Sequence, residues 1–196
     1  MKTIEQLKGL IQSEFPALAR ILGTNHLLPD RRLMEEVILP YFASKKEFNR
    51  ILFVGCDWYT KTYNKIFNNK EYWTIDIDRN KSKFGSSNHL VDSLTNLDNY
   101  FNTNYFDVIF CNGVFLVGAM DERKIIEKAF EKCFSCLRHD GILVVGWNNT
   151  PELRPFPLNE CQSLNLLQPY IFPPLSTFQY PTNTHYKHTY NFYIKK

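Results

Sequence analysis

The sequence predicts a doubly wound α/β fold: a mostly parallel sheet covered by helices, closed by an antiparallel C-terminal strand and preceded by N-terminal helices. Three observations predict it. An apolar run, Ile51 to Val54, stops at Gly55. A second run, beginning at Tyr72, ends about twenty residues later on a carboxylate, Asp76. Further short runs around Leu90, Asp107–Cys111 and Ile142–Trp147 are separated by stretches long enough to be crossovers, which pair strands in parallel.

Residues 4 to 22 place Ile4, Leu7, Ile11, Phe15, Leu18 and Leu22 on one helical stripe, bent or divided at Pro16 and ended by Gly23. A second helix begins near Asp30, whose carboxylate suits the open amides of a first turn, and runs through Leu33, Val37 and Ile38 towards Pro40. Residues 1–45 thus form an accessory layer. The core, 48–148, reads as strand 50–55, helix 59–69, strand 71–77, short strand 89–91 and strand 107–111. From Asp121 to Leu137 the residues Ile125, Ile126, Ala129, Phe130, Cys133, Phe134 and Leu137 repeat at helical spacing. Asp121 suits the helix's positive end, Arg138 and His139 its negative end, and Asp140-Gly141 turns the chain into strand 142–147. Seven of the ten prolines fall between 151 and 181, so segment 149–196 carries at most a short helix near 158–168 before a last strand, 190–194.

At 196 residues the chain fits one domain, and its 44% hydrophobic and 22% charged content is that of an ordered globular protein. The 23 basic and 20 acidic residues are interleaved, so the net charge of +3 gives no reason to expect a nucleic-acid partner. Five cysteines, three of them isolated, suit a reducing compartment better than a disulfide framework. With neither a secretory core nor an apolar stretch of about 18 residues, the expectation is a cytoplasmic protein without a membrane partner. Oligomeric state is not legible.

A strand, a glycine turn and a second strand tipped by a carboxylate make half of a nucleotide site. The glycine admits a ligand to the backbone, and the carboxylate can take both ribose hydroxyls. The order of motifs over residues 48–148 resembles the class I S-adenosylmethionine-dependent methyltransferases, whose fold is Rossmann-like. Gly55 resembles the first glycine of that family's loop, and Asp76, followed by Ile77, its ribose-binding acid. Asp92, followed by Ser93, resembles the residue beside the adenine amino group. Phe106 to Val114 is similar to the fourth strand and its loop, which puts Asn112 and Val114 beside the methyl donor. Leu137 to Val145 is similar to the entry to strand five, and His188 to Tyr193 to the final antiparallel strand. The resemblance implies S-adenosylmethionine as cofactor.

The departures lie in the loop itself. Phe53 stands where the family has an acid, and Asp57 and Tyr59 replace the second and third glycines. Side chains there must turn away or enter the pocket, while the Asp57 carboxylate would attract a sulfonium. A nicotinamide-dependent oxidoreductase is a rival, since Asp76 would hold its ribose equally well, but a carboxylate at 57 repels a pyrophosphate. A non-catalytic binding module of the same fold is the other.

The acceptor side is less specified. The loop after strand five offers Trp147, Asn148 and Arg154 for a small-molecule or carbohydrate-type acceptor. His185, His188, Tyr186 and Tyr190 are candidate general bases. Cys133-x-x-Cys136 lies among core aromatics of a helix and reads as packing, and no ligand set for a metal emerges.

Overall fold

The computed structural model describes residues 28–196. The helix expected over residues 4 to 22 and its stop at Gly23 lie outside them. Among the described residues, eight strands form one sheet: β1 (Arg50–Val54), β2 (Glu71–Asp76), β3 (Asn88–Val91), β4 (Phe106–Asn112), β5 (Leu137–Asn148), β6 (Gln168–Pro169), β7 (Gln179–Pro181) and β8 (His188–Ile194). Their order is β3-β2-β1-β4-β5-β8-β6, with β7 also on β8. β1 to β5 pair in parallel, and β8 lies antiparallel to β5, β6 and β7.

The central strands bury both faces, which is why they read as continuous apolar runs. Alternate residues divide between two cores. Leu52, Val54, Ile109, Cys111, Leu143 and Val145 face helix α4 (Arg123–Cys136) and the segment from Phe156 to Leu167. Ile51, Phe53, Phe110, Val144 and Phe192 face the opposite layer of α1 (Pro29–Leu33), α2 (Leu39–Ser44), Phe67 and Phe172. No helix among the described residues is long and apolar enough to cross a membrane. All five cysteines are free and buried.

Several local expectations are corrected. Asp30 does not cap a helix. Pro29 opens α1, and Asp30 turns to the sheet, where its carboxylate accepts from the Tyr186 hydroxyl at 2.9 Å and its carbonyl from Tyr190 at 2.9 Å. Pro40 does not end the helix either. Between α1 and α2 the chain widens into a π turn, Met34–Ile38, with Leu39 N–H bonded to Met34 O. Pro40 has no N–H to give, and the wider turn relieves the clash of its ring with the preceding carbonyls.

The helix expected over 59–69 shrinks to a 3₁₀ turn, Thr60–Thr62, and one α turn, α3 (Tyr63–Ile66). Side chains compete for its backbone: Thr60 donates to Asp57 O at 2.7 Å, Thr62 to Tyr59 O at 2.9 Å and Asn64 to Lys61 O at 3.1 Å. Around Leu158–Gln168 there are likewise only two 3₁₀ turns.

The caps assigned to the long helix also move. Asp121 accepts from Gly118 N–H at 2.8 Å, ordering the preceding loop. Arg138 belongs to β5 and pairs with Asp107, which holds the Asn49 and Arg50 amides at 2.7 Å each. The cation at the C-terminal end of α4 is Lys195, whose ammonium donates to Phe134 O and Leu137 O at 2.8 Å each. Asp140-Gly141 does turn the chain, with Asp140 at φ +59°. It lies in an outlooped part of β5, where pairing jumps from Phe106↔Leu137 to Val108↔Ile142.

Candidate functional site

Chain order reverses between β1 and β4, because β1 is followed by β2 and β3 on one side and by β4 on the other. At such a point the loops leave in opposite directions and a crevice opens at the carboxyl ends of the strands. A cavity of about 530 Å³ lies there, and Gly55, Asp57, Tyr59, Asp76, Ile77, Asp92, Ser93, Asn112 and Val114 all line it.

Gly55 takes φ +83°, and a Cβ on it would lie 2.9 Å from Val114 Cγ1. Backbone conformation and close approach both require glycine at this position. Its N–H donates to Ile75 O at 2.9 Å, which fixes the loop to the end of β2. The Asp76 carboxylate then bridges the same two elements. One oxygen accepts from Cys56 N–H at 2.6 Å and the other from Asp78 N–H at 2.8 Å. Each oxygen keeps a free lone pair, so the group is oriented without being saturated.

Asp57 does not face the cavity as a lone charge. One of its oxygens accepts from Trp58 N–H at 2.7 Å and the other meets the Lys81 ammonium at 2.7 Å, a bond that raises the lysine pKa. The pair is nearly neutral and spans the glycine loop and the 3₁₀ segment after β2, Arg79–Phe84. Tyr59 forms wall rather than plug. The Arg31 guanidinium lies 3.1 Å over its ring centroid and holds it towards α1. Phe53 points away from the cavity and packs on Tyr63 and Phe110.

Asp92 is held by the Tyr100 hydroxyl at 2.6 Å, Asn96 Nδ2 at 2.9 Å and Ser93 N–H at 2.6 Å, bonds that lower its pKa. Beside it Ile77 is 74% exposed, a large apolar side chain left as an uncovered wall. Cys56 also lines the cavity, but burial raises its thiol to about 11, so it stays protonated at neutral pH.

Trp147, Asn148 and Arg154, expected on the acceptor side, do not line this cavity. Trp147 is 3% exposed, donates its indole N–H to Asn191 Oδ1 at 2.9 Å and packs on Phe115. Asn148 contacts His188 Nδ1 at 2.7 Å, and Arg154 donates to Asn149 Oδ1 at 2.6 Å. Among the candidate bases, His188 and Tyr190 are buried and His185 is exposed. Burial lowers the His188 pKa to about 4 and raises those of Tyr186 and Tyr190. No three His, Cys, Asp or Glu side chains among the described residues group as a metal site.

Lys81, Met120 and Ile125 also line the cavity, though no motif marked them as site residues in the sequence. Only Lys81 had a local signal: Asp78, which accepts from Asn80 N–H at 2.9 Å, is a turn-starting residue that folds the next segment back over the loop.

No protein-family model and no curated protein matches the sequence. Solved structures match in fold. The N-methyltransferase NodS from Bradyrhizobium japonicum WM9, in complex with S-adenosyl-L-homocysteine, superposes with a TM-score of 0.64 at 13% identity, over 86% of this chain and 88% of that one. The 1,6-didemethyltoxoflavin-N1-methyltransferase from Burkholderia thailandensis, with bound 1,6-didemethyltoxoflavin and S-adenosylhomocysteine, gives 0.54 at 10% identity, over 100% and 92%. The [4+2]-cyclase SpnF gives 0.53 at 14% identity, over 85% and 73%. The protein therefore has the Rossmann-like fold of the class I methyltransferases.

Proposed function

We propose that the protein binds S-adenosylmethionine in the cavity between β1 and β4 and transfers its methyl group to a small-molecule acceptor. The observation that carries this reading is the Asp76 carboxylate, fixed by two backbone amides beside a glycine that only glycine can replace, with a lone pair left on each oxygen. That is the arrangement a ribose diol needs. The cavity volume of about 530 Å³ is in the range that encloses a cofactor-sized molecule. Two proteins of the same fold hold S-adenosylhomocysteine, the product of such a transfer.

In this assignment Asp76 takes the ribose, Ile77 and Val114 cover the adenine faces, and Asp92 and Ser93 meet its polar edge. Gly55, Tyr59 and Asn112 surround the methionine part, and the Asp57–Lys81 pair offers both signs of charge to its ammonium and carboxylate. When bound, the cofactor supplies an electrophilic methyl group on a sulfonium leaving group. The chain's task is then to align the acceptor and exclude water.

Loops 113–120 and 149–154, tied by Val117 N–H to Leu153 O at 3.0 Å, form the acceptor side, with Arg154 as its cation. Tyr190 donates to Asp30 O, Tyr186 to the Asp30 carboxylate, and His188 is buried, which leaves none of them free to take an acceptor proton, while the exposed His185 does not line the cavity. The favoured acceptor therefore attacks through its own lone pair, as an amine or a thiolate does. Titrating the protein with S-adenosylmethionine and S-adenosylhomocysteine in a calorimeter tests the reading: saturable heat is expected, and no heat at millimolar ligand refutes it.

A second reading has a specific observation behind it. A [4+2]-cyclase shares this fold, so the fold also serves a reaction other than methyl transfer. Binding of S-adenosylhomocysteine without transfer to any amine, hydroxyl or thiol acceptor would favour such a role.

A further inference from the structure

We infer that His188 is a positioning residue: by carrying its proton on Nδ1, it turns the Asn112 side-chain amide so that the carbonyl oxygen faces the cavity.

His188 stands on β8 beside β5 and is 4% exposed. Burial keeps the imidazole neutral at physiological pH, since its pKa falls to about 4. A neutral imidazole has one N–H and one lone pair. Both ring nitrogens nevertheless face a side-chain amide oxygen in the structure, Nδ1 at 2.7 Å from Asn148 Oδ1 and Nε2 at 3.2 Å from Asn112 Oδ1. Two amide oxygens cannot both be acceptors for a single N–H. One asparagine must present its NH₂ group.

The distances say which. A separation of 2.7 Å is at the short end of N–H···O bonds, so Nδ1 carries the proton and gives it to Asn148 Oδ1. Nε2 is then the acceptor, which requires the Asn112 amide to be turned over, so that its nitrogen takes the Oδ1 position 3.2 Å from Nε2 and donates an N–H···N bond. Turned over in this way, Asn112 carries its oxygen on the side away from the ring, and Asn112 lines the cavity. Gly146 makes room for this bond: a Cβ there would lie 1.9 Å from the terminal atom of Asn112 and 2.9 Å from His188 Nε2.

Three strands, β4, β5 and β8, thus fix the direction of one dipole. The cavity gains a neutral acceptor with its negative end inward. Such a group selects ligand parts that carry N–H donors or positive charge, here the ammonium and sulfonium end of the donor, over carboxylate or phosphate. The ligand part of this inference rests on the donor-binding reading above, whereas the tautomer does not.

Nitrogen-15 NMR of the histidine-labelled protein reads the tautomer directly, and a protonated Nδ1 with bare Nε2 is expected for His188. A protonated Nε2 overturns the inference. Asn148→Leu removes the acceptor that pins the proton without altering a cavity-lining residue. Calorimetry should show S-adenosylhomocysteine binding weakened about fivefold to twentyfold, the worth of one hydrogen bond. Unchanged affinity in that variant also overturns it. If the unaltered protein binds neither S-adenosylmethionine nor S-adenosylhomocysteine, the donor reading fails, and with it the ligand part. The NMR result then decides the tautomer alone.

Discussion

Gly146→Ala tests the geometry behind the site most directly. Gly146 lies in β5 under the Asn112–His188 contact, and a methyl group there would lie 1.9 Å from the Asn112 amide, 2.9 Å from His188 Nε2 and 2.9 Å from Tyr190 Cε1. The first distance cannot be tolerated, so Asn112 must swing away and the contact to His188 is lost. Leaving a buried ring nitrogen unpaired costs about 1–3 kcal/mol. Crowding His188 and Tyr190, both packed in the sheet layer, adds about 1–2 kcal/mol. The sum is about 2–5 kcal/mol. For a domain of this size each kcal/mol moves the melting temperature by roughly 2–4 °C, so a fall of roughly 4–20 °C is expected. The swung Asn112 also enters the cavity, so S-adenosylhomocysteine affinity should fall with stability. A melting temperature within 2 °C of the unaltered protein, together with unchanged binding, would refute the packing argument and the assignment of Asn112 to the cavity wall.

Asp76→Ala should weaken S-adenosylhomocysteine binding roughly a hundredfold by calorimetry, because two charge-assisted bonds to a ribose are lost; a change below threefold would remove Asp76 from the site. Stability should depend on pH through His188. Its folded pKa, about 4, lies below the unfolded value of about 6.5, so as pH falls between them the unfolded chain gains a proton the folded chain refuses. Up to about 3 kcal/mol is therefore lost from pH 6.5 to pH 4, and urea midpoints of the protein and of His188→Gln should diverge in that window alone. Lys81→Met should change stability by less than about 1 kcal/mol, since the pair is about one-third exposed on each side; a thermal melt checks this. Finally, an aromatic disulfide reagent at neutral pH should label no thiol promptly in the native state and all five in denaturant. All five are buried, and burial raises Cys56 and Cys161 to about 11 and Cys136 to about 12.

Residue order alone was enough to place β1 to β4, the C-terminal half of β5, β8 and the residues that gather at the strand ends, but not β6 and β7. Apolar runs buried on both faces, the glycine at 55 and the carboxylates at 76 and 92 are local signals, and residues at the ends of adjacent parallel strands meet whatever the helices do. Helix extent was legible only in part. Around residue 63 hydroxyl and amide side chains took backbone carbonyls of the segment expected to be a helix over 59–69. Tertiary structure alone decided the partners. Lys81 neutralises Asp57 across 24 residues, Lys195 rather than Arg138 caps the long helix, Trp147 faces the core, and His188 reaches Asn112 across 76 residues. The reason is physical: strand and turn preferences act within a few neighbours, whereas charge pairing and the choice of a tautomer depend on groups that meet only after the sheet has closed.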